Sequence, residues 1–364
     1  MINSLHISGY KLFNELELPR FGRLNLFVGA NNTGKSCLLE AIGMYVGRTP
    51  VADIIQETSM RLRDPMRPWD SDGMTEEDSP LIHPLFDLFH RDKGNPGGPI
   101  VIEQLGDKYP LKIDYRLHHV VIEDGFRRYV LAQAGDVVQQ PTEMAMRVFR
   151  GEEQLGLITR KMLPWRNRTS DDKINILDRA SVAHIPANGF SDEKAASMWD
   201  ILVQGPGQDL VISWLRIIEP RIQDLVYIAG RYRERIALVK MEGEGRIPLR
   251  SIGDGVTRLF HIGLAMASAS RGVILIDEFE NGLHWRTQAK IWYALGEAAK
   301  QFDVQIFGTT HSRDCIEAFA IVSDQMKLSD STIYRLERYD DKVLAMELPL
   351  VNVDAAIREH KEMR

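Results

Sequence analysis

Apolar and polar residues alternate at the start of the chain in INSLHISGY, pause, and resume in NELELPRFG. That period of two predicts a pair of half-buried strands. LNLFVG is continuously apolar, the mark of a strand covered on both faces, and CLLEAIGMYV then takes up helical spacing. From about 51 to 200 the texture changes. Pro and Gly clusters (DPMRPWDSDG, KGNPGGP) punctuate alternating stretches such as KIDYRLHHVVIEDG and RRYVLAQAG, which predict antiparallel strands in an insertion. Helical periodicity returns in AASMWDILV and LVISWLRIIEPRIQDLV, and the rest alternates apolar strand, loop and helix in the manner of a parallel sheet. The expected organisation is an N-terminal part at 1–50, a mixed α+β insertion at 51–200, connecting helices at 201–224 and a C-terminal part at 225–364. No internal repeat or low-complexity tract interrupts it.

Composition narrows the class without naming a function. Of 364 residues, 44% are hydrophobic and 26% charged, near the globular average. The net charge of −6 argues against a protein that coats nucleic acid over its whole surface, so any DNA contact must be regional. Cys37 and Cys315 are the only cysteines, no run of 18 apolar residues is present, and MINSLHISGY lacks a secretory leader pattern. These features predict a reduced, cytoplasmic protein without a membrane partner. The cysteines lack zinc-ligand spacing, and Cys37 reads as a small core residue.

Candidate chemistry begins at 29–36, where GANNTGKS matches G-x-x-x-x-G-K-[ST] between the apolar strand and the helical run. A chance match in a chain of this length has a probability of roughly 1 in 100 at average residue frequencies. Phosphate oxygens need several backbone N–H donors converging on one point, which a loop supplies only where glycine permits the curvature and a helix N-terminus follows. Gly29 and Gly34 give that freedom, and Asn31, Asn32, Thr33 and Cys37 contribute to the same cradle. Lys35 would neutralise the β and γ phosphates of ATP, and the Ser36 hydroxyl would be a ligand of Mg²⁺.

GVILIDEFENGLHW places two adjacent carboxylates after a buried apolar strand. Asp277 then suits the metal, held beside Ser36, and Glu278 the attacking water, as its general base. A second apolar run, VQIFGTTHS, ends at His311, where a sheet-edge histidine could hydrogen-bond a γ phosphate.

The order GANNTGKS, SIGDGVTRLF, ILIDEFENGLHW, FGTTHS resembles the ABC-type ATPase heads of the RecF, SMC and OLD (overcoming lysogenization defect) group, over residues 1–50 and about 225–364. It is most similar to stand-alone OLD-like ATPases, in which the acidic strand continues as ENGLH and the histidine loop reads TTHS. The resemblance implies an α/β fold: a P-loop head with a mostly parallel central sheet and an antiparallel β subdomain. It implies ATP hydrolysis with Mg²⁺, and a homodimer in which the SIGDG loop of one head caps the nucleotide of the other. Gly253 and Gly255 would serve that cap through their amides, with either Ser251 or Gly253 in the signature serine position. Residues 281–284 would line the dimer seam, and His311 would be the switch histidine. No Q-loop glutamine follows ASVAHIPA, Asn188 being a weak stand-in, so the coupling element is unassigned. Tyr10 and Lys11 lie where the family has an aromatic-basic pair, with Lys11 open to either nucleotide contact or plain solvation.

OLD proteins proper continue into a TOPRIM nuclease domain, whose two metals need a cluster of acids. The residues after Ser312 are expected instead to finish the ATPase sheet, with Asp340-Asp341 as a hairpin turn. A nuclease effector is therefore expected as a separate protein whose activity the ATPase regulates, in phage defence or DNA processing. The alternative is a RecF-like clamp in DNA repair that grips DNA itself. The stretches RYRER, GFRRY and RKMLPWRNR suit phosphate backbones or a solvated face equally well. A transporter-coupled subunit does not fit the long insertion or ENGLH.

Overall fold

The computed structural model describes residues 1–47, 88–92, 95–96, 98–123, 126–133, 141–159, 182–230, 234–269, 271–326, 331–340 and 342–350. The chain opens with β1 (Leu5–Tyr10), β2 (Phe13–Leu18), β3 (Leu24–Val28) and α1 (Lys35–Gly47). A strand-rich stretch follows: the short pair β4 (Arg91–Asp92) and β5 (Asn95–Pro96), then β6 (Ile100–Glu103), β7 (Leu111–Glu123), β8 (Phe126–Leu131), β9 (Thr142–Arg150) and β10 (Glu153–Thr159). Next come β11 (Val182–Ile185), α2 (Asp192–Leu202), α3 (Gly207–Leu215), β12 (Ile222–Ala229), β13 (Arg235–Met241) and β14 (Arg246–Pro248). The last part runs α4 (Asp254–Ser268), β15 (Val273–Ile276), α5 (Trp285–Gln301), β16 (Gln305–Thr310), α6 (Arg313–Gln325), β17 (Ser331–Tyr339) and β18 (Lys342–Leu348).

The central sheet has the order β11-β15-β16-β3-β17-β18, parallel except for its last pair. Both of its faces are covered, which is why β3 and β15 are apolar at every position but one, Asn25. Leu24, Leu26, Val28, Ile274, Ile276 and Ile306 join the core formed with the helices, including Trp199, Phe260, Trp292 and Phe319. Phe27, Val273, Leu275 and Phe307 join a second core with Leu38 and Ile42 of α1 and with Ile7, Ile100 and Ile113 of the antiparallel sheet. The period of two thus sorts one strand's side chains into two cores.

Three boundaries differ from the sequence expectation. The strands expected as an insertion within 51–200 extend the antiparallel sheet begun by β1 and β2, since β6 pairs with β1 through Ile7 opposite Ile102. At the end of that range, β11 pairs in parallel with β15, so 182–185 lie inside the central sheet. The helical run read through LVISWLRIIEPRIQDLV stops at Leu215, and β12 begins at Ile222. Pro220 explains the break, because proline lacks the helical N–H and pushes its predecessor toward extended backbone. Residues 201–224 are accordingly part helix and part strand.

Candidate functional site

The loop at 29–34 leaves β3 and enters α1 at the C-terminal edge of the central sheet. Two glycines are required there by conformation and space. Gly29 has φ +151° and a Cβ on it would lie 2.5 Å from the Leu336 carbonyl oxygen; Gly34 has φ +92° and its Cβ would lie 2.9 Å from the Phe13 ring. Asn32 also takes a positive φ of 64°, which asparagine tolerates best among non-glycine residues. Thr33 Oγ1 donates to the Ala30 carbonyl at 2.9 Å. Lys35 Nζ donates to the carbonyls of Gly29 and Ala30 at 2.9 and 2.8 Å, so the ammonium is held inside its own loop. Burial lowers the pKa of that ammonium, and the nearby Asp277, Glu280 and Glu278 carboxylates oppose the shift.

β15 and β3 are separated by β16, and that middle strand supplies the link between the two motifs. Ser36 Oγ donates to Asp277 Oδ1 at 3.1 Å, and Thr309 Oγ1, at the end of β16, donates to the same oxygen at 2.7 Å. Thr309 Oγ1 also accepts from the Glu278 amide at 2.8 Å, while its carbonyl accepts from the Phe279 amide at 2.9 Å. Glu278 sits at φ 48°, a strained setting for a non-glycine residue. Asn281 Nδ2 donates to Glu278 Oε2 at 2.6 Å and to the Ala187 carbonyl at 3.2 Å. Ser36 and Asp277 thus offer converging hard oxygens, the donor chemistry that Mg²⁺ takes when phosphates and water fill its other positions. Among the described residues no group of three or more His, Cys, Asp or Glu forms a self-sufficient metal site.

His311 directly follows the C-terminal end of β16, a central strand of the sheet. Its Nδ1 is 3.1 Å from Glu280 Oε1, and its amide donates to the same oxygen at 2.9 Å. A cavity of about 480 Å³ lies against the phosphate loop, lined by residues 28–33, His311, Ile316 and the 335–340 end of β17. No residue of the 251–255 turn lines it. That turn is found at the N-terminus of α4, where Gly253 is the capping residue with φ 132° and ψ 161°. A Cβ on Gly253 would meet nothing within 4 Å, whereas one on Gly255 would lie 2.8 Å from the Gly282 carbonyl oxygen. Ser251, the other candidate for the serine position, is exposed in the short helical turn before it.

This geometry coincides with what known proteins suggest. A family model described as an AAA ATPase domain matches residues 166–316, a span that contains the signature turn, the acidic pair and His311. An ATP/GTP phosphatase of Helicobacter pylori is 21% identical, with 94% of each chain covered. The crystal structure of an SmcHead bound to the C-winged helix domain of ScpA superposes with a TM-score of 0.50 at 14% identity, covering 98% of this chain and 99% of that one. The site is similar to those of ABC-type P-loop ATPases. The fold is the α/β fold of SMC-like heads, and the chemistry is ATP hydrolysis. No helix among the described residues is long and apolar enough to cross a membrane.

The remaining sequence candidates fall as follows in the fold. The Lys11 ammonium is largely buried and pairs with Glu40 of α1, and Tyr10 donates to the same carboxylate oxygen. Asn188, the weak Q-loop candidate, is exposed. Asp340 forms the β17–β18 turn at φ 49°, while Asp341 lies outside the described residues. Of the arginine-rich stretches, 160–168 and 231–233 lie outside them too; Arg235 is engaged by Asp200 at 2.7 and 2.8 Å, and Arg128 by Glu123 at 3.1 Å. Cys37 is half-buried against the second core, and burial pushes the Cys315 thiol up to about 12. Sequence reasoning missed Thr309 as the bridge and Arg258 altogether. Both had a signal: a polar residue in an otherwise apolar strand or helix must find a partner.

Proposed function

We propose that this ATPase works as a head-to-tail homodimer in which the 253–255 turn of each head completes the nucleotide site of the other. The observation that carries the reading is the open side of Gly253, where a Cβ would meet no described residue within 4 Å, together with the absence of that turn from the lining of the phosphate-loop cavity. In each site the amides of 29–37 and Lys35 receive the ATP phosphates. Ser36 and Asp277 would hold Mg²⁺, which would supply neutralisation of the phosphate charge. Glu278, oriented by Asn281, takes the proton of the attacking water as its oxygen bonds to the γ-phosphorus and the bond to the β-phosphate oxygen breaks. His311, steadied by Glu280, contacts the γ phosphate. The closed state is then read by a separately encoded effector, a nuclease in the reading drawn from the resemblance. The β7–β8 hairpin is a suitable dock, with Leu117, Ile122, Val130 and Leu131 exposed.

A mixing experiment tests the composite site. Lys35→Ala removes the phosphate charge of one head and leaves its turn intact; Gly253→Trp adds bulk to the open side of the other and leaves its phosphate loop intact. Each protein alone should be inactive, and the mixture should regain a substantial part of wild-type hydrolysis. A Gly253→Trp protein that is fully active by itself would show that the turn meets no partner.

A further inference from the structure

Arg258 is 4% exposed and sits in α4 among Val256, Leu259, Phe260 and Ile262, all buried. A guanidinium in that stripe carries a large desolvation cost, and burial lowers its pKa to about 10 against the pull of Asp277, Glu280 and Glu278. Its hydrogen bonds fall into two sets. Nη2 donates to the carbonyls of Asp277 and Glu278 at 2.5 and 3.1 Å, which are the backbone of the acidic pair. Nη1 donates to the carbonyls of Pro186 and Ala187 at 2.7 and 3.4 Å, in the loop that follows β11. The Ala187 carbonyl also accepts from Asn281, which holds Glu278. One rigid planar fork therefore ties the helix that begins at the 253–255 turn to both supports of the glutamate. The turn itself lies about 7.5 Å up the helix axis, five residues away.

A second side chain on the same helix strengthens the tie. His261 Nδ1 accepts from the Phe190 amide at 3.3 Å, so α4 grips the 186–190 loop at two points. Stability alone is a poor account of Arg258, because its Nε is buried without a hydrogen-bond partner. An apolar residue of similar volume would serve a structural helix at least as well.

Resting on the head-to-tail reading, we infer that Arg258 is the coupling element of this head, the positioning residue through which engagement of the 253–255 turn by a partner sets Glu278 in its own site. It fills the coupling role to which the sequence assigns no residue, with the carbonyls of 186 and 187 as its relay. Contact on the turn moves α4 as a rigid rod. The fork then moves the 277–278 backbone and, through Asn281, the glutamate carboxylate.

The test compares Arg258→Lys with the wild-type full chain. A lysine ammonium is a point donor that can reach one carbonyl pair but cannot span both. The expected result is a folded protein with KM for ATP within about threefold of wild type and kcat reduced about tenfold or more. In the Glu278→Gln background, Arg258→Lys should still form an ATP-dependent dimer by light scattering. Arg258→Gln, uncharged and shorter, carries the same measurements if the lysine protein does not fold. Unchanged kcat with a lowered unfolding midpoint would make Arg258 a structural residue and overturn the inference, as would a kcat loss that merely tracks the folded fraction. If Glu278→Gln alone never dimerises with ATP, the head-to-tail reading fails and takes the coupling with it; if it does dimerise and Arg258→Lys turns over normally, only the coupling fails.

Discussion

The phosphate loop and the 253–255 turn are built on opposite plans. At the phosphate loop the polar groups answer to one another within the head: Lys35 to two loop carbonyls, Ser36 and Thr309 to Asp277, Asn281 to Glu278. At the 253–255 turn the inner side is tightly fitted, with Gly255 and Gly282 in backbone contact, and the outer side of Gly253 faces open space. A preorganised end waits for a small anion and an open end suits a macromolecular surface. The pairing of the two in one chain is what an enzyme needs if its chemistry is to depend on a second copy.

Substitutions can break that contrast in order of expected effect. Lys35→Ala should abolish ATP binding, measured by titration with a fluorescent ATP analogue, because it removes the ammonium held at the phosphate loop. Next, Glu278→Gln should keep binding and lose about 10²–10⁴-fold in kcat, the usual contribution of a general base. Turnover at the wild-type rate would remove Glu278 from the role. Thr309→Val keeps the shape of the residue and deletes the hydroxyl that serves both Asp277 and the Glu278 amide. Its loss should cost about 1–3 kcal/mol of stability by denaturant titration, with a drop of roughly tenfold in kcat.

The last expected effect, on stability alone and with no change in turnover, sits at the other end. His261 is buried and its pKa is lowered from 6.5 to about 4, with burial as the main cause and the Arg258 charge as the next. The folded state therefore holds it neutral while the unfolded chain takes up a proton below 6.5. Stability from this group is present above pH 6.5 and is lost as pH falls from there towards 4, by up to about 3 kcal/mol. His261→Gln should flatten that part of the stability curve, and an unchanged acid slope would show that His261 is not its source.

Much of the first end was legible in the sequence and much of the second was not, for a physical reason. Backbone-built sites leave fixed spacings: GANNTGKS needs its glycines at set positions, and the acidic pair must follow an apolar strand. The antiparallel strands at 111–131 were legible by alternation, and β7 and β8 form there. Sheet membership was not, because period two says which face a strand buries but not which neighbour it pairs with. β6–β10, within the segment expected as an insertion, extend the sheet of β1 and β2. Contacts made by a long side chain to distant carbonyls, such as Arg258 to 186, 187, 277 and 278, have no spacing to read. Lys11 shows the same limit. Its place in the aromatic-basic pair of the resemblance left nucleotide contact or solvation open, and the fold pairs it with Glu40 of α1.

The central claim, that one head completes the site of another, is tested most directly by light scattering of the Glu278→Gln protein with and without ATP and Mg²⁺. The account predicts that the molar mass doubles when both are added, stays at the monomer value without nucleotide, and fails to double when Gly255→Leu drives a side chain into the Gly282 carbonyl. A strict monomer under all nucleotide conditions, with the wild-type chain hydrolysing ATP at full rate at the same concentration, would contradict it.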